Sequence, residues 1–215
     1  MTPAIEEPPP GTRRTLALHT PTTAGLASIL RSWNEAGRTL LARPDLSARA
    51  RDIIQCQRGL CDELFEFVEG GGAPAGELRA AIAGGRPQGI AAIEPLERSL
   101  FIHYLVSAPW NALTADDVAD LRATRGACVA LIGDAARKSG ARGLGGVVSL
   151  EAINDQCRSV YEHLGFDRTS IEELSGTFPV GLYSAAEAST RCWMLLDAAR
   201  SKRFGAPVCR RPRAA

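Results

Sequence analysis

The sequence lacks several features that would assign it directly to a functional class. Its six cysteines include no CxxC pair and none has a histidine at zinc-ligand spacing, which excludes the common structural zinc sites. No unbroken run of about 18 apolar residues occurs, so no simple membrane-spanning helix is predicted. The 25 basic and 24 acidic residues nearly cancel. Bulk charge therefore indicates neither nucleic acid nor an anionic membrane surface as a partner.

The two ends of the sequence differ from the region between them. The first residues, MTPAIEEPPPGTRR, lack the basic and then apolar pattern of a secretory signal. With the cysteine usage, this favours a reducing, cytoplasmic location. Residues 1–14 and 201–215 are proline-containing and poor in apolar side chains, so they are predicted to be tails, the second one basic. Residues 15–200 are predicted to form a single domain with one sizeable core.

Apolar periodicity along this domain alternates between strand-like and helix-like segments. The predicted elements, in order, are a strand at Thr15–His19, helices ending near Leu41 and Val68, strands at Glu77–Ala83, Gly89–Ile93 and Leu100–Ser107, a helix at Val118–Lys138, a strand at Gly143–Leu150, a helix at Ile153–Leu164 and a strand at Arg191–Leu196. This order predicts a mixed α/β or α+β layer architecture.

The stretch NDQCRSVYEHLGFD carries the most specific local pattern. In a helix starting near Ile153, Asn154, then Cys157 or Arg158, and then Tyr161 fall about one and two turns apart and share a face that can line a groove. Gly165 suits a left-handed cap, which would fix the direction of the tyrosine hydroxyl. Taken alone, the pattern also fits a core tyrosine on an amphipathic helix.

With its upstream neighbours, this stretch resembles a known family. The segment TRGACVALIGDAARKSGARGLGGVVSLEAINDQCRSVYEHLGF is similar to the acetyl-CoA-binding half of the GCN5-related N-acetyltransferase (GNAT) superfamily, and the resemblance covers roughly Leu100 to Phe166. It implies a central, mostly antiparallel mixed sheet of about six or seven strands flanked by helices, in the order β-α-α-β-β-β-α-β-α-β-β. No internal repeat is apparent.

The resemblance also implies an activity. Members of the superfamily are acyl-CoA-dependent N-acyltransferases, so acetyl transfer from acetyl-CoA to a primary amine by direct attack is expected. The acceptor would be a small-molecule or peptide amine. A catalytically weak CoA-sensing or protein-interaction module on the same fold is the alternative.

Cofactor contacts and the proton donor follow from the family's motifs. By resemblance, Asn154 would hydrogen-bond the pantetheine arm and Tyr161 would protonate the departing CoA sulfur. The central strand is expected to splay from its neighbour and to offer backbone groups of Leu105, Val106 and Ser107 to the pantetheine. Cys157 stands where the family usually has alanine and is interpreted as a packing residue.

The general base is less well defined. His103 falls near the position at which many members carry a glutamate that deprotonates the amine, and an imidazole of near-neutral pKa can do this work. A histidine satisfied within a buried strand is the competing interpretation. Glu94, Glu97 and Glu151 remain alternative bases, as does a water chain to solvent.

The family's phosphate loop precedes and opens a helix, where backbone N–H groups receive the pyrophosphate. The matching register here is Arg125-Gly126-Ala127-Cys128-Val129-Ala130, with Cys128 in place of the central glycine. A thiol at a helix start is expected to have a lowered pKa. A tolerated substitution and a reactive thiol are both consistent with the sequence.

Candidate residues for the acceptor side lie in the segment that follows the central strand, which is longer here than is usual in the family. Trp110 and Asn111 are the predicted substrate residues, and Trp110 either walls an acceptor pocket or anchors the insertion to the surface. The last predicted strand, Arg191–Leu196, could close the sheet within the chain or pair across a homodimer.

Overall fold

The computed structural model describes residues 16–69, 77–113, 124–174 and 190–205. Its elements in chain order are β1 (Ala17–His19), α1 (Thr23–Leu41), α2 (Ala48–Glu69), β2 (Glu77–Ala83), β3 (Arg86–Pro95), β4 (Leu100–Ser107), a 3-10 helix (Pro109–Ala112), α3 (Ala127–Ala141), β5 (Val148–Ala152), α4 (Asp155–His163), β6 (Asp167–Thr169), α5 (Ile171–Leu174), β7 (Cys192–Leu196) and α6 (Ala198–Gly205). The predicted mixed α/β class is confirmed.

The strands of the described residues form one sheet in the order β1-β2-β3-β4-β5-β7-β6. All neighbours are antiparallel except β4 and β5, which run parallel. This parallel pair is short, extending only from Leu100 opposite Val148 to Ile102 opposite Leu150. Beyond it, β4 continues along β3 and β5 continues along β7, so the two central strands diverge. β7 is inserted between β5 and β6 of the same chain.

Helices cover both faces of the sheet, and successive strand residues alternate between two cores. Ile90 and Ala92 of β3 pack in the core formed with α1 and α2, which contains the buried Trp33. Ala91 and Ile93 belong to the core on the opposite face, formed with α3. The sheet is therefore the middle of three layers, and its divergent strands lie between α2 on one side and α3 on the other.

Polar side chains cap the N-termini of the first two helices. Thr22 Oγ1 accepts a hydrogen bond from the backbone N–H of Gly25 at 3.1 Å. Ser47 Oγ accepts one from Ala50 N–H at 3.2 Å, just before α2. Both helices thus begin directly after a side-chain cap.

Two predicted boundaries are wrong because glycines interrupt the backbone. Residues 124–126 of the predicted helix at Val118–Lys138 are not helical, since Gly126 has a φ of 88° and α3 starts after it. Residues 118–123 lie outside the described part of the chain. The strand predicted from Gly143 begins only at Val148, because Gly143, Gly145 and Gly146 all have positive φ.

The helices α5 and α6 were not predicted from the sequence, whereas β6 is a strand that the family order implies after α4 without giving its bounds. Asp197 Oδ1 starts α6 by accepting hydrogen bonds from the N–H groups of Ala199 and Arg200 at 2.7 and 2.8 Å. Residues 201–205 of the predicted tail are therefore helical, and Ser201 is only 5% exposed. Residues 1–14 and 206–215 of the predicted tails lie outside the described residues.

Candidate active site

A narrow cavity of about 50 Å³ lies where β4 and β5 diverge. It is lined by residues of α2, β4, β5 and α4: Gln57, Leu60, Ile102, His103, Tyr104, Leu105, Leu150, Glu151, Ile153, Cys157 and Tyr161. The predicted proton donor Tyr161, the predicted base His103 and the predicted pantetheine contact Leu105 thus meet at one point. The divergence of the two strands that encloses this point is the splay implied by the family resemblance.

An irregularity in β4 turns its residues toward this cavity. Tyr104 pairs with Ala92 and Ile102 pairs with Ile93, so His103 is the extra residue of a β-bulge. Bulges often redirect a side chain next to an active site. Here the bulge lies at the residue that immediately follows the last β4–β5 pair.

The backbone of β4 beyond the bulge faces the cleft at alternate residues. Ser107 N–H donates to Gln57 Oε1 at 2.8 Å, so it points away from β3. Leu105, two residues earlier, presents its N–H to the same edge, whereas the backbone groups of Val106 face β3. Of the three predicted contacts, only Leu105 and Ser107 therefore offer backbone groups to the cleft. The N–H of Ser107 is already hydrogen-bonded to Gln57.

The His103 side chain is buried among aromatic rings and forms a hydrogen bond with a carboxylate. Its Nε2 lies 2.7 Å from Glu94 Oε2, and its ring packs edge-on to Phe101 with centroids 4.7 Å apart. Burial lowers the pKa of His103, and the hydrogen bond to Glu94 opposes this shift only in part. The imidazole is therefore neutral at neutral pH, and Glu94 is placed to stabilise the protonated form.

Tyr161 is held by the end of its helix. Phe166 N–H donates to Tyr161 C=O at 3.0 Å and Gly165 N–H donates to Glu162 C=O at 2.9 Å, which is a Schellman motif with Gly165 at a φ of 96°. The rings of Tyr161 and Phe166 lie 5.8 Å apart. Burial raises the pKa of Tyr161 above its ordinary value, so the phenol stays protonated and can donate a proton.

Asn154 does not lie on the helix face as predicted, because it is the N-cap of α4, which begins at Asp155. Its Oδ1 accepts the backbone N–H of Cys157 at 2.8 Å. Its Nδ2 is 3.8 Å from Cys56 Sγ on α2. The side-chain oxygen therefore caps the helix. The Nδ2 amide has two N–H groups, so it can donate to a further partner besides Cys56.

The site contains a thiol pair that the sequence did not indicate. The thiol of Cys157 hydrogen-bonds to Cys56 and is the main reason that the pKa of Cys56 is lowered to about 6, with a smaller contribution from Asn154. The same interaction raises the pKa of Cys157. Since 98 residues separate Asn154 from Cys56, no local pattern could have revealed this cluster.

The predicted phosphate loop leads directly into α3. Gly126 adopts a left-handed conformation, and no side chain among the described residues caps the helix. The first N–H groups of α3 are therefore available to an anion. Cys128 lies half-buried in this first turn, and burial raises its pKa to about 11. The predicted lowering of this pKa is wrong, because desolvation outweighs the helix dipole.

A larger cavity of about 660 Å³ runs along the outer side of α3 and the end of α4. Gly126, Val129 and Ala130 of the predicted phosphate loop line one part of it. Arg137 and Arg203 line another part and supply positive charge. Arg137 also bonds to Asp134 at 3.1 Å.

Trp110 and Asn111 lie away from the Tyr161 cavity. Trp110 is 6% exposed, donates its Nε1–H to Gln88 Oε1 at 3.1 Å and packs edge-on to Trp33. Asn111 donates its Nδ2–H to Gln88 C=O at 2.9 Å and accepts Thr124 N–H at 2.8 Å. These contacts anchor Trp110, which also lines a separate cavity of about 500 Å³ together with Trp33, so both roles considered for Trp110 stay predictions.

The described ranges contain neither a cluster of metal ligands nor a membrane-spanning helix. No group of three His, Cys, Asp or Glu side chains there could hold a metal ion. No helix among them is both long and apolar enough to cross a membrane.

Comparison with known proteins gives matches only at the level of structure. Neither a protein-family model nor a curated protein sequence matches the chain. A protein from Desulfovibrio desulfuricans designated a GNAT-family acetyltransferase is 15% identical, with a TM-score of 0.51 over 84% of this chain and 96% of that one. PaiA N-acetyltransferase from Thermoplasma acidophilum, solved with coenzyme A, is 12% identical, with a TM-score of 0.47 over 84% of this chain and 98% of that one.

The first of these similarities carries the fold assignment, since its TM-score exceeds 0.5. The chain therefore has the fold of the GNAT acetyltransferases, as its sequence resemblance implied.

Proposed function

We propose that the chain is an acyl-CoA-dependent N-acyltransferase that transfers acetyl from acetyl-CoA to a primary amine by direct attack. The observation that carries this proposal is the cavity at the β4–β5 divergence. There a partly buried, protonated phenol and a buried, neutral imidazole line the same narrow space. A proton donor and a proton acceptor at one point are what an acyl transfer between a thioester and an amine needs.

The residues present suit coenzyme A. Leu105 and Ser107 can bond the amide groups of the pantetheine as an added strand would. The uncapped start of α3 together with Arg137 and Arg203 suits the phosphates. Pantetheine binding at Ser107 requires that Gln57 release the Ser107 N–H.

An adjoining cavity suits the acceptor. It has a volume of about 580 Å³ and shares Glu151 and Ile153 with the narrow cavity, so an amine entering it reaches the β4–β5 divergence. Arg191 bonds to Glu151 at 2.7 and 2.8 Å, and Arg158 and Arg168 also line the space. A small-molecule amine or the side chain of a peptide fits a volume of this size.

The proton transfers can then be assigned. His103 takes a proton from the acceptor ammonium, directly or through water, and Glu94 stabilises the imidazolium. The free amine forms the new C–N bond at the thioester carbonyl, and the C–S bond breaks as the tetrahedral intermediate collapses. Tyr161 gives its proton to the departing sulfur, and the extra proton on the attacking nitrogen passes through water to the phenolate, which restores Tyr161. The products are an amide and the CoA thiol, and no acyl-enzyme forms.

The test follows CoA release from acetyl-CoA with a panel of amines, for the wild type and Tyr161→Phe. The variant keeps the ring that packs on Phe166 and removes only the hydroxyl. We expect kcat to fall by about 10²-fold or more, with little change in the KM for acetyl-CoA. Equal kcat at saturating substrates across pH would show that Tyr161 is not the general acid.

A CoA-sensing or protein-interaction module on this fold is the second candidate, favoured by the Gln57–Ser107 hydrogen bond and by Cys128 in the first turn of α3. Two measurements, acetyl-CoA binding and turnover of an amine, distinguish the candidates. Acetyl-CoA binding without turnover of any amine indicates a sensor. Absence of both binding and turnover indicates an interaction module.

A further inference from the structure

Two cysteines from separate helices lie together at the edge of the cleft. Cys56 belongs to α2 and Cys157 to α4, and both are free thiols of intermediate exposure. Asn154 contacts both residues, with its Nδ2 3.8 Å from Cys56 Sγ and its Oδ1 2.8 Å from Cys157 N. Each thiol is the largest influence on the pKa of the other, so the two side chains lie close together.

The surroundings make the two thiols chemically unequal. The hydrogen bond from Cys157 holds the pKa of Cys56 well below its usual range, so Cys56 is largely thiolate at neutral pH. The pKa of Cys157 is raised, so it remains a thiol until its partner reacts. A solvent-accessible thiolate beside a second thiol is typical of redox-sensitive cysteine pairs, and Cys56 is of intermediate exposure. By contrast, Cys61 on α2 is 2% exposed, and burial raises its pKa to about 12.

We propose that Cys56 and Cys157 form an oxidation site that reacts with hydroperoxides to give an intramolecular disulfide. The Cys56 thiolate attacks the peroxide O–O bond, giving a sulfenic acid and releasing hydroxide or alkoxide. Cys157 then attacks the Cys56 sulfur, the S–O bond breaks, and water leaves as the S–S bond forms. The protein loses two protons and two electrons, and the hydroperoxide is reduced to two molecules of water, or to water and an alcohol.

The disulfide would act on the cleft because both helices line it. Gln57, next to Cys56, lines the cavity from α2, and Cys157 and Tyr161 line it from α4. A covalent bond between the helices fixes α2 in the position where Gln57 occupies the Ser107 N–H. Resting on the proposed function, this predicts that oxidation weakens coenzyme A binding.

The experiment treats the full-length protein with stoichiometric hydrogen peroxide and measures its intact mass and its non-reduced peptide map. We expect a loss of about 2 Da and a peptide pair linked through Cys56 and Cys157, both reversed by dithiothreitol. Cys56→Ser and Cys157→Ser should each abolish the link, and Cys61→Ser should retain it. Far-ultraviolet circular dichroism confirms that each variant is folded.

An absent link, a link between other cysteines, or irreversible oxidation of Cys56 in the wild type would each overturn the proposal. Coenzyme A titration of the reduced and oxidised proteins provides a separate result. Affinity at least about 10-fold weaker after oxidation supports the effect on the cleft, and equal affinity contradicts it. If the reduced protein binds no coenzyme A, the proposed function fails while the disulfide result stands independently.

Discussion

The side chains of His103 and Glu94 form a 2.7 Å hydrogen bond at the β-bulge of β4, beside the cavity that also contains Tyr161. The bond stabilises the fold because it gives the buried imidazole a hydrogen-bond partner. It also serves the proposed chemistry, since a carboxylate beside the base stabilises the imidazolium formed by proton transfer. The two interpretations that the sequence leaves open for His103 are therefore compatible.

The first prediction concerns the pH dependence of stability. Burial places the pKa of His103 below its unfolded value of about 6.5, so below that pH the unfolded chain binds more protons than the folded one. The contribution of neutral His103 to the free energy of unfolding is therefore present above this pH and is lost as the pH falls. His103→Gln removes the ionisation, and its unfolding free energy should decrease less than that of the wild type between pH 7.5 and 5.5. Urea unfolding measures both; equal decreases would contradict the prediction.

The second prediction concerns the reactivity of Cys56. Cys157→Ala removes the main hydrogen bond that lowers the pKa of Cys56, so the pH midpoint for alkylation of Cys56 by iodoacetamide should rise. Cys157→Ser retains a hydroxyl donor and should keep the midpoint closer to that of the wild type. Mass spectrometry of the Cys56 peptide gives the rate at each pH. An unchanged midpoint in Cys157→Ala would show that Cys157 does not set the pKa.

The third prediction compares a glycine with positive φ and a glycine inside a helix. Gly126 has a φ of 88°, so Gly126→Ala should lower the free energy of unfolding by about 1–2 kcal/mol. Gly59 lies within α2, and an added Cβ there meets no atom within 4 Å. Gly59→Ala should therefore raise stability by about 0.5–1 kcal/mol. Urea unfolding at pH 7 compares the three proteins, and destabilisation of both variants would contradict the backbone argument.

The fourth prediction tests the contact between α2 and the splayed strand. Gln57→Ala frees the Ser107 N–H, so acetyl-CoA binding no longer has to break a hydrogen bond worth about 1 kcal/mol. The Kd for acetyl-CoA should therefore fall by about 5-fold. Gln55→Ala, at an exposed position of the same helix, is the matched control and should leave the Kd unchanged. A higher Kd in Gln57→Ala would show that Gln57 binds the ligand.

The sequence predicted features that depend on local patterns. The strand Leu100–Ser107 has the predicted bounds because its residues form a continuous apolar run between turns. Gly165 ends α4 as predicted, since a left-handed cap has a local glycine signal. In contrast, β6 has only three residues, too few for a periodic pattern to emerge. Helix α3 was predicted to start too early because the polar segment before it also has a helical pattern.

The candidate site depends more on contacts between distant segments. Asn154 was placed on the helix face because the sequence does not distinguish an N-cap from a first helical residue. The Cys56–Cys157 pair and the Gln57–Ser107 hydrogen bond join α2 to elements far away in the sequence. The pKa of Cys128 depends on burial, which its position at a helix start does not reveal. The family motif therefore located the cleft but did not predict how α2 contributes to it.

The most direct test of the account is a calorimetric titration of the reduced, full-length protein with acetyl-CoA. The β4–β5 cleft, the uncapped start of α3 and the arginines beside it predict saturable binding of one acetyl-CoA per chain. Gly126→Ala, which perturbs the start of α3, should weaken that binding. Absence of a binding signal up to millimolar acetyl-CoA would contradict the central claim that this cleft holds an acyl-CoA.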